Sequence, residues 1–160
     1  MVINVAASVD FNLVLDQALQ INCFGGLRAL ELAEGCKNLK MYCHVSTAYV
    51  GCNTPDGSIC KEEVEEPDFD VKALINKMLS MPVDEIRKQS KNFVGKYPNT
   101  YTYTKNLGEK MIRLTKKPET PCVIVRPTCV GCSLLEPVPG WIDVASSCGA
   151  FIHSHSLGHV

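Results

Sequence analysis

The sequence predicts an α/β fold built on a parallel sheet, and three observations support this prediction. Residues 2–6 and 41–46 are two short apolar runs, partly β-branched, with the length of buried strands. Between them, apolar residues recur at three- and four-residue spacing, which is the period of a helix that buries one face. Strand, long helix and strand in this order form a βαβ unit, which joins two parallel strands.

The other elements follow from the same kinds of signal. The first helix is expected at about residues 14–34, because Gly35 is a common helix terminator. The stretch from 51 to 70 contains Pro, Gly and many acids and predicts a loop. After Pro127 the chain is rich in Gly, Pro and Ser, and its weak periodicity predicts no further element. The remaining predictions are short helices at 71–79 and 83–93, a longer helix at about 99–116 and a third strand at 121–126.

The composition excludes several classes of protein. With 46% hydrophobic and 21% charged residues, the 160-residue chain has the make-up of one globular domain rather than a disordered segment. Its net charge of −1 provides no attraction to nucleic acid or to an anionic membrane. The first residues lack the basic start and long apolar core of a signal peptide, so we expect an intracellular protein.

The cysteine and histidine patterns do not predict a metal site. Nine cysteines, an odd number at irregular spacing, predict reduced thiols rather than a disulfide framework. Cys129 and Cys132 form one CxxC pair, whereas a structural zinc site needs four ligands. Near the C-terminus, His153, His155 and His159 have no thiol or acidic partner placed to complete a site. We therefore expect no bound metal.

Tyr101 and Lys105 are the strongest candidates for chemistry. On the predicted helix, residues four apart lie on the same face, so the phenol and the ammonium share one surface. The pKa of a free tyrosine is about 10, and a neighbouring ammonium lowers it by stabilising the phenolate. Such a pair can act as a general acid or base on a carbonyl or alcohol oxygen. Tyr103 is only two residues from Lys105 and points away from it, which makes it the weaker candidate.

Ser46 and Thr47 place two hydroxyl groups at the C-terminal end of the second predicted strand. In open α/β sheets, ligands bind beyond the carboxyl ends of the strands. A hydroxyl at that position can hydrogen-bond the same substrate oxygen that a tyrosine protonates. In combining this hydroxyl with Tyr101 and Lys105 on the next long helix, the sequence resembles the short-chain dehydrogenase/reductase superfamily.

The resemblance is closer to one family within that superfamily, the fatty acyl-CoA reductases. The long insertion between Thr47 and Tyr101 is similar to the helical insertion of these enzymes and unlike the short gap of small superfamily members. The order of the motifs also resembles theirs, with Asn22 at the position of the structural asparagine of the superfamily. The motifs are AASVDF at 6–11, INCFGG at 21–26, HVSTAYV at 44–50, YPNTYTYTK at 97–105, VIVRPTCV at 123–130 and EPVPGWID at 136–143.

The resemblance implies a role for each candidate residue. Thr47, with Ser46 as the alternative, would orient the substrate carbonyl. Tyr101 would donate the proton, and Lys105 would stabilise the phenolate and hydrogen-bond the nicotinamide ribose. The residues that would lie beside the cofactor are Ala6, Ala7, Tyr101, Lys105, Pro127, Thr128 and Val130.

The resemblance also implies a reaction and its partners. NADPH would provide a hydride twice, first to convert a long-chain fatty acyl-CoA to the aldehyde with release of CoA, and then to form the fatty alcohol. A peroxisomal or endoplasmic reticulum location is implied, with membrane association only through regions absent from this sequence. The alternatives are another extended short-chain reductase, namely a carboxylic acid reductase domain or a sugar-nucleotide epimerase, and an inactive product that retains the fold. The long insertion and the EPVPGWID motif argue against the epimerase.

One feature departs from the family. The sequence contains no GxGxxG turn, although a Rossmann-type fold uses this turn to hold the cofactor pyrophosphate at a helix N-terminus. We therefore expect a partial Rossmann-type, doubly wound parallel sheet that forms the C-terminal, nicotinamide half of the site. The partial domain is predicted at residues 1–143, followed by an atypical tail at 144–160. By itself, the chain is expected to be inactive.

Overall fold

The computed structural model describes residues 1–67, 69–144 and 147–159 of the chain. These residues form two compact units, Met1–Arg126 and Pro127–Val160. The first unit contains the sheet and the helices that pack on it. The boundary expected at residue 143 remains a prediction, and positions 145, 146 and 160 of the expected tail lie outside the described residues.

In the described part of the chain, three parallel strands form the sheet, in the order β1, β2, β3. Val2 of β1 pairs with Tyr42 of β2, and Tyr42 also pairs with Cys122 of β3, so β2 is central among the three. The predicted partial Rossmann-type α/β fold is confirmed, although each strand is shorter than the apolar run that predicted it. The strands are β1 at Val2–Asn4, β2 at Tyr42–Val45 and β3 at Cys122–Val125.

The long helix between β1 and β2 contains a π-helical turn in its middle. Helix α1 spans Leu15–Ala18, the π-helical turn spans Leu19–Phe24, and helix α2 spans Gly25–Glu34. Gly35 ends this helix, as its sequence predicts. The π-helical turn was not predicted, because apolar spacing alone does not distinguish a local π-bulge from a regular α-helix. The turn includes Asn22, which has contacts at the candidate active site.

Among the residues that the structure describes, four α-helices lie between β2 and β3. The helix predicted at 83–93 is in fact two helices, because Gln89, with φ −88° and ψ 3°, interrupts the helical backbone. The helix predicted at about 99–116 is confirmed, and Asn99 caps it by accepting a hydrogen bond from the backbone N–H of Thr102 at 2.9 Å. The four are α3 at Val71–Ser80, α4 at Val83–Lys88, α5 at Ser90–Val94 and α6 at Thr100–Thr115.

Helix α6 contributes to both apolar clusters of the first unit. Through Leu107 it packs with Leu15 of α1 and Ile75 of α3. Through Ile112 it packs with Tyr42 of the central strand. Each of these side chains is at most 2% exposed. Because close-packed side chains resist displacement, this burial holds α6 in one position against the sheet.

The second unit is described by itself. In it, a loop is closed by two backbone hydrogen bonds, from Ser133 N to the Trp141 carbonyl at 2.8 Å and from Gly140 N to the Ser133 carbonyl at 2.9 Å. Helix α7, at Ser147–Ser156, was not predicted. Because no α7 side chain among those described is buried, the helix lacks the apolar periodicity that would have indicated it.

The contact between α6 and the π-helical turn depends on Gly108. A Cβ atom added at Gly108 would lie 3.0 Å from the carbonyl oxygen of Asn22, which is backbone and cannot rotate away. We predict that Gly108→Ala destabilises the fold, because overpacking costs about 1–3 kcal/mol and outweighs the gain of about 1 kcal/mol in helix propensity. Thermal or denaturant unfolding of the purified chain measures the difference.

Gly25→Ala is the matched control, because the nearest atom to its added Cβ lies 3.9 Å away. This variant should gain stability, by up to about 1 kcal/mol, from helix propensity alone. An equal gain in the two variants would show that α6 and the π-helical turn are not in close contact.

Candidate active site

Two buried hydroxyl groups follow the end of β2. Ser46 is 4% exposed and Thr47 is 5% exposed. Thr47 caps a short 3₁₀ turn, Ala48–Gly51, and its Oγ1 accepts a long hydrogen bond of 3.4 Å from the Tyr49 backbone N–H. Among the residues that the structure describes, Ser46 Oγ has no hydrogen-bond partner. The end of β2 therefore presents one unpaired hydroxyl and one hydroxyl that can still donate its proton.

Lys105 lies against the same strand end. Its Nζ donates a hydrogen bond of 2.7 Å to the carbonyl oxygen of Val45, the residue before Ser46. The side chain is on the buried face of α6, and the residue is 2% exposed. Burial lowers the pKa of this amine, and the negative charge of Glu109 opposes that effect. The lysine predicted to act at the site is thus beside the two predicted hydroxyls.

Tyr101 occupies the first turn of α6, one turn before Lys105. It is half-buried, and its ring packs against Phe11 with 5.5 Å between the ring centroids and 40° between the ring planes. Phe11 belongs to the loop that follows β1. Helix α6 therefore contacts the loop after β1 through Tyr101 and the last residue of β2 through Lys105.

Tyr103 lies in the apolar core. It packs against Tyr97 with ring centroids 5.5 Å apart, and its hydroxyl has no hydrogen-bond partner among the described residues. Burial raises the pKa of its phenol to about 12. This environment disfavours the phenolate, so Tyr103 is poorly suited to acid–base chemistry at neutral pH.

Asn22 joins the loop after β1 to α6. Its Oδ1 accepts a hydrogen bond from the Ser8 N–H at 2.8 Å, and its Nδ2 donates to the Ser8 carbonyl at 3.2 Å and to Thr104 Oγ1 at 3.3 Å. The side chain is almost fully buried, with 2% exposure. These bonds hold the loop in which Ala6 is exposed and Ala7 is half-buried.

The other predicted cofactor contacts belong to the second unit. Pro127 is half-buried there, and Thr128 and Val130 are exposed. That they lie beside a nicotinamide ring stays a prediction.

Two further features near Lys105 were missed in the sequence. His44 on β2 is 1% exposed, and burial, assisted by the charge of Lys105, lowers its pKa to about 4. Glu109, one helical turn after Lys105, is buried and forms an ion pair with the partly buried Arg126. A polar residue inside an apolar strand run could have drawn attention to His44. Glu109 could have been found by the same four-residue spacing that indicated Tyr101 and Lys105, because it lies four residues after Lys105.

The described residues contain neither a cluster of metal ligands nor a membrane-spanning helix. Within 1–67, 69–144 and 147–159, no three His, Cys, Asp or Glu side chains come together as a metal site. The nine cysteines, all of which lie in these ranges, form no disulfide. No helix in the same ranges has the length and hydrophobicity to cross a bilayer.

Known proteins resemble this chain along most of its length. Residues 1–159 match the model of an NAD-binding family described as Male sterility protein. The chain is 39% identical over 142 residues to fatty acyl-CoA reductase 1 of Xenopus laevis and 39% identical over 138 residues to fatty acyl-CoA reductase 1 of Homo sapiens. It is 32% identical over 180 residues to fatty acyl-CoA reductase 8 of Arabidopsis thaliana.

These similarities cover 89%, 86% and 98% of this chain, in the same order, but only 27%, 26% and 36% of the relatives. The chain thus spans about a quarter to a third of the length of the proteins that it matches. The predicted resemblance to fatty acyl-CoA reductases is confirmed. By its match along residues 1–159, the chain belongs to the NAD-binding family described as Male sterility protein, and the relatives that it matches are named fatty acyl-CoA reductases.

Proposed function

We propose that this chain is the catalytic part of an NADPH-dependent reductase that converts long-chain fatty acyl-CoA to fatty alcohol. The observation that supports this best is the 2.7 Å hydrogen bond from Lys105 Nζ to the Val45 carbonyl. This bond places the Lys105 ammonium at the backbone of Val45, which is the residue before Ser46 and two residues before Thr47. The relatives' name supplies the acyl-CoA substrate, and the preference for NADPH comes from the family resemblance.

The residues at the end of β2 suit the nicotinamide end of such a cofactor. Ser46 Oγ is buried without a partner among the described residues, which is costly unless a ligand pairs with it. Lys105 donates one hydrogen bond to Val45, and an ammonium group has three donors, so it can also bond ribose hydroxyls. We propose that Lys105 and Tyr101 hold the nicotinamide ribose, with Ala6 and Ala7 of the first unit as further contacts. Contacts of the cofactor with Pro127, Thr128 and Val130 stay a prediction from the family resemblance. Two molecules of NADPH, bound one after the other, would each supply one hydride, the first to the thioester carbonyl with release of CoA and the second to the aldehyde carbonyl.

The side chains would then perform the proton chemistry. The Thr47 hydroxyl orients the substrate carbonyl by donating a hydrogen bond to the carbonyl oxygen, and Ser46 is the alternative hydrogen-bond donor. Tyr101 transfers a proton to that oxygen as negative charge develops there. Lys105 stabilises the phenolate that remains through the positive charge of its ammonium.

We predict that Tyr101→Phe lowers kcat by about 10²- to 10⁴-fold, which is the usual contribution of general acid catalysis. The test uses the complete product of the gene that encodes these residues, with a long-chain acyl-CoA and NADPH, and measures the alcohol formed.

Tyr103→Phe is the matched control for this substitution. It also removes a phenol hydroxyl, that of Tyr103, which lies two residues after Tyr101. The Tyr103 hydroxyl has no hydrogen-bond partner among the described residues. Its kcat should equal that of the wild type. Equal activity of the wild type and the Tyr101→Phe variant would remove Tyr101 from the mechanism.

The 160-residue chain alone is predicted to form no fatty alcohol. Its sequence has no GxGxxG turn to bind the pyrophosphate, so the adenine half of the cofactor lacks its usual anchor. Saturation-transfer NMR of the chain with NADPH should show contacts to nicotinamide and its ribose and none to adenine.

Alcohol formation by the purified chain, or saturation transfer to adenine protons, would contradict this prediction. Fatty aldehyde in place of acyl-CoA is the control, because it tests the second reduction independently of CoA release.

A further inference from the structure

Glu109 is a carboxylate in the interior of the first unit. It is 1% exposed and lies four residues after Lys105 on α6, so that the two side chains share one face of the helix. Burying a carboxylate is costly unless the charge is paired and hydrogen-bonded. The position of Glu109 therefore calls for a cationic partner and offers a charge to the neighbouring lysine.

Arg126 is that partner, and it joins three parts of the unit. Its Nε lies 3.0 and 3.2 Å from the two carboxylate oxygens of Glu109, and its Nη2 lies 2.6 Å from Oε2. The guanidinium also donates to the carbonyls of Lys61 at 2.9 Å and Glu63 at 3.0 Å. Arg126 directly follows β3, so these bonds fasten α6 to the end of β3 and to the loop after the 3₁₀ turn.

We propose that Glu109, held in place by Arg126, is a positioning residue for Lys105. Its negative charge keeps the buried amine protonated, and its ion pair fixes α6 so that Lys105 Nζ stays at the Val45 carbonyl. This inference rests on the proposed function for its consequence in catalysis, since Lys105 must be charged to stabilise a phenolate. The effect of Glu109 on the charge and position of Lys105 does not depend on that function.

The charges around Lys105 support this assignment. Burial lowers the pKa of the amine, and Glu109 is the acidic group that raises it. From β2, His44 also faces this region, but its pKa of about 4 leaves it neutral at pH 7. Arg126 contributes a positive charge that is paired with Glu109. The protonation of Lys105 thus depends on the charge of Glu109, which opposes the effect of burial.

The test is a titration of Lys105 in the 160-residue chain labelled with ¹³C at lysine Cε, followed by NMR. The Lys105→Arg variant identifies the signal by its disappearance. In Glu109→Gln, the titration midpoint of Lys105 should move to lower pH, because the stabilising carboxylate is lost. In Arg126→Gln, the midpoint should move to higher pH, because the guanidinium no longer offsets the negative charge of the Glu109 carboxylate.

Arg113→Gln is the matched control. Arg113 is on the same helix and pairs with Glu66 at 2.6 Å, but this ion pair is largely exposed, with side-chain exposures of 41% and 83%. Its removal should leave the Lys105 midpoint unchanged. If the pair only held α6 in place and Glu109 had no charge effect on Lys105, the midpoint would move in the same direction in Glu109→Gln and Arg126→Gln, and this result would overturn the proposal.

Circular dichroism first establishes that each variant is folded. If a single substitution unfolds the chain, the double variant Glu109→Met/Arg126→Met replaces the pair by apolar side chains, which buried ion pairs often tolerate. Its Lys105 midpoint should also lie below that of the wild type, and an unchanged midpoint would overturn the proposal. Because the readout is a titration and not turnover, it is independent of reductase activity. A shifted midpoint in the 160-residue chain, together with a complete gene product that forms no fatty alcohol, would refute the proposed function and leave this inference standing.

Discussion

The candidate site depends on one interaction, the hydrogen bond between the buried Lys105 ammonium and the Val45 carbonyl at the end of β2. A lysine amine at 2% exposure has lost nearly all of its water, so it must find protein partners or lose its charge. The strand-end carbonyl is one such partner, and it is available because β2 ends at Val45. The same bond fixes the lysine beside Ser46 and Thr47.

Three features of the surrounding structure make this interaction geometrically feasible. Gly108 lets α6 approach the π-helical turn closely, and the side chain of Asn22 in that turn bonds both the loop after β1 and Thr104 of α6. On the opposite side, Glu109 and Arg126 connect the helix to β3. Helix α6 is thus held by the π-helical turn at Thr104 and Gly108 and by Arg126 at Glu109. Lys105 lies within one helical turn of these supports, and Tyr101 lies one turn before Lys105.

The periodicity of the sequence predicted the βαβ unit because burial of one face leaves a regular apolar pattern. The spacing of Tyr101 and Lys105 predicted a shared helical face because residues four apart in a helix lie on the same side of it. The π-helical turn, the break at Gln89 and helix α7 were not predicted, since each depends on local backbone geometry or on a helix without a buried face. The Glu109–Arg126 pair joins residues on different elements, and a single sequence does not indicate which charges meet across a fold.

The fold and the family are those of a reductase. The role of each side chain at the site depends on where the substrate oxygen binds. The most direct measurement is a crystal structure of the complete gene product with NADPH and a long-chain fatty aldehyde, in the Tyr101→Phe variant so that turnover is slow. We expect the aldehyde oxygen at about 2.6–3.2 Å from Thr47 Oγ1 and beside the edge of the aromatic ring at position 101, where the missing phenol would have been within hydrogen-bonding reach. An aldehyde oxygen bound away from Thr47, Ser46 and position 101 would contradict the account.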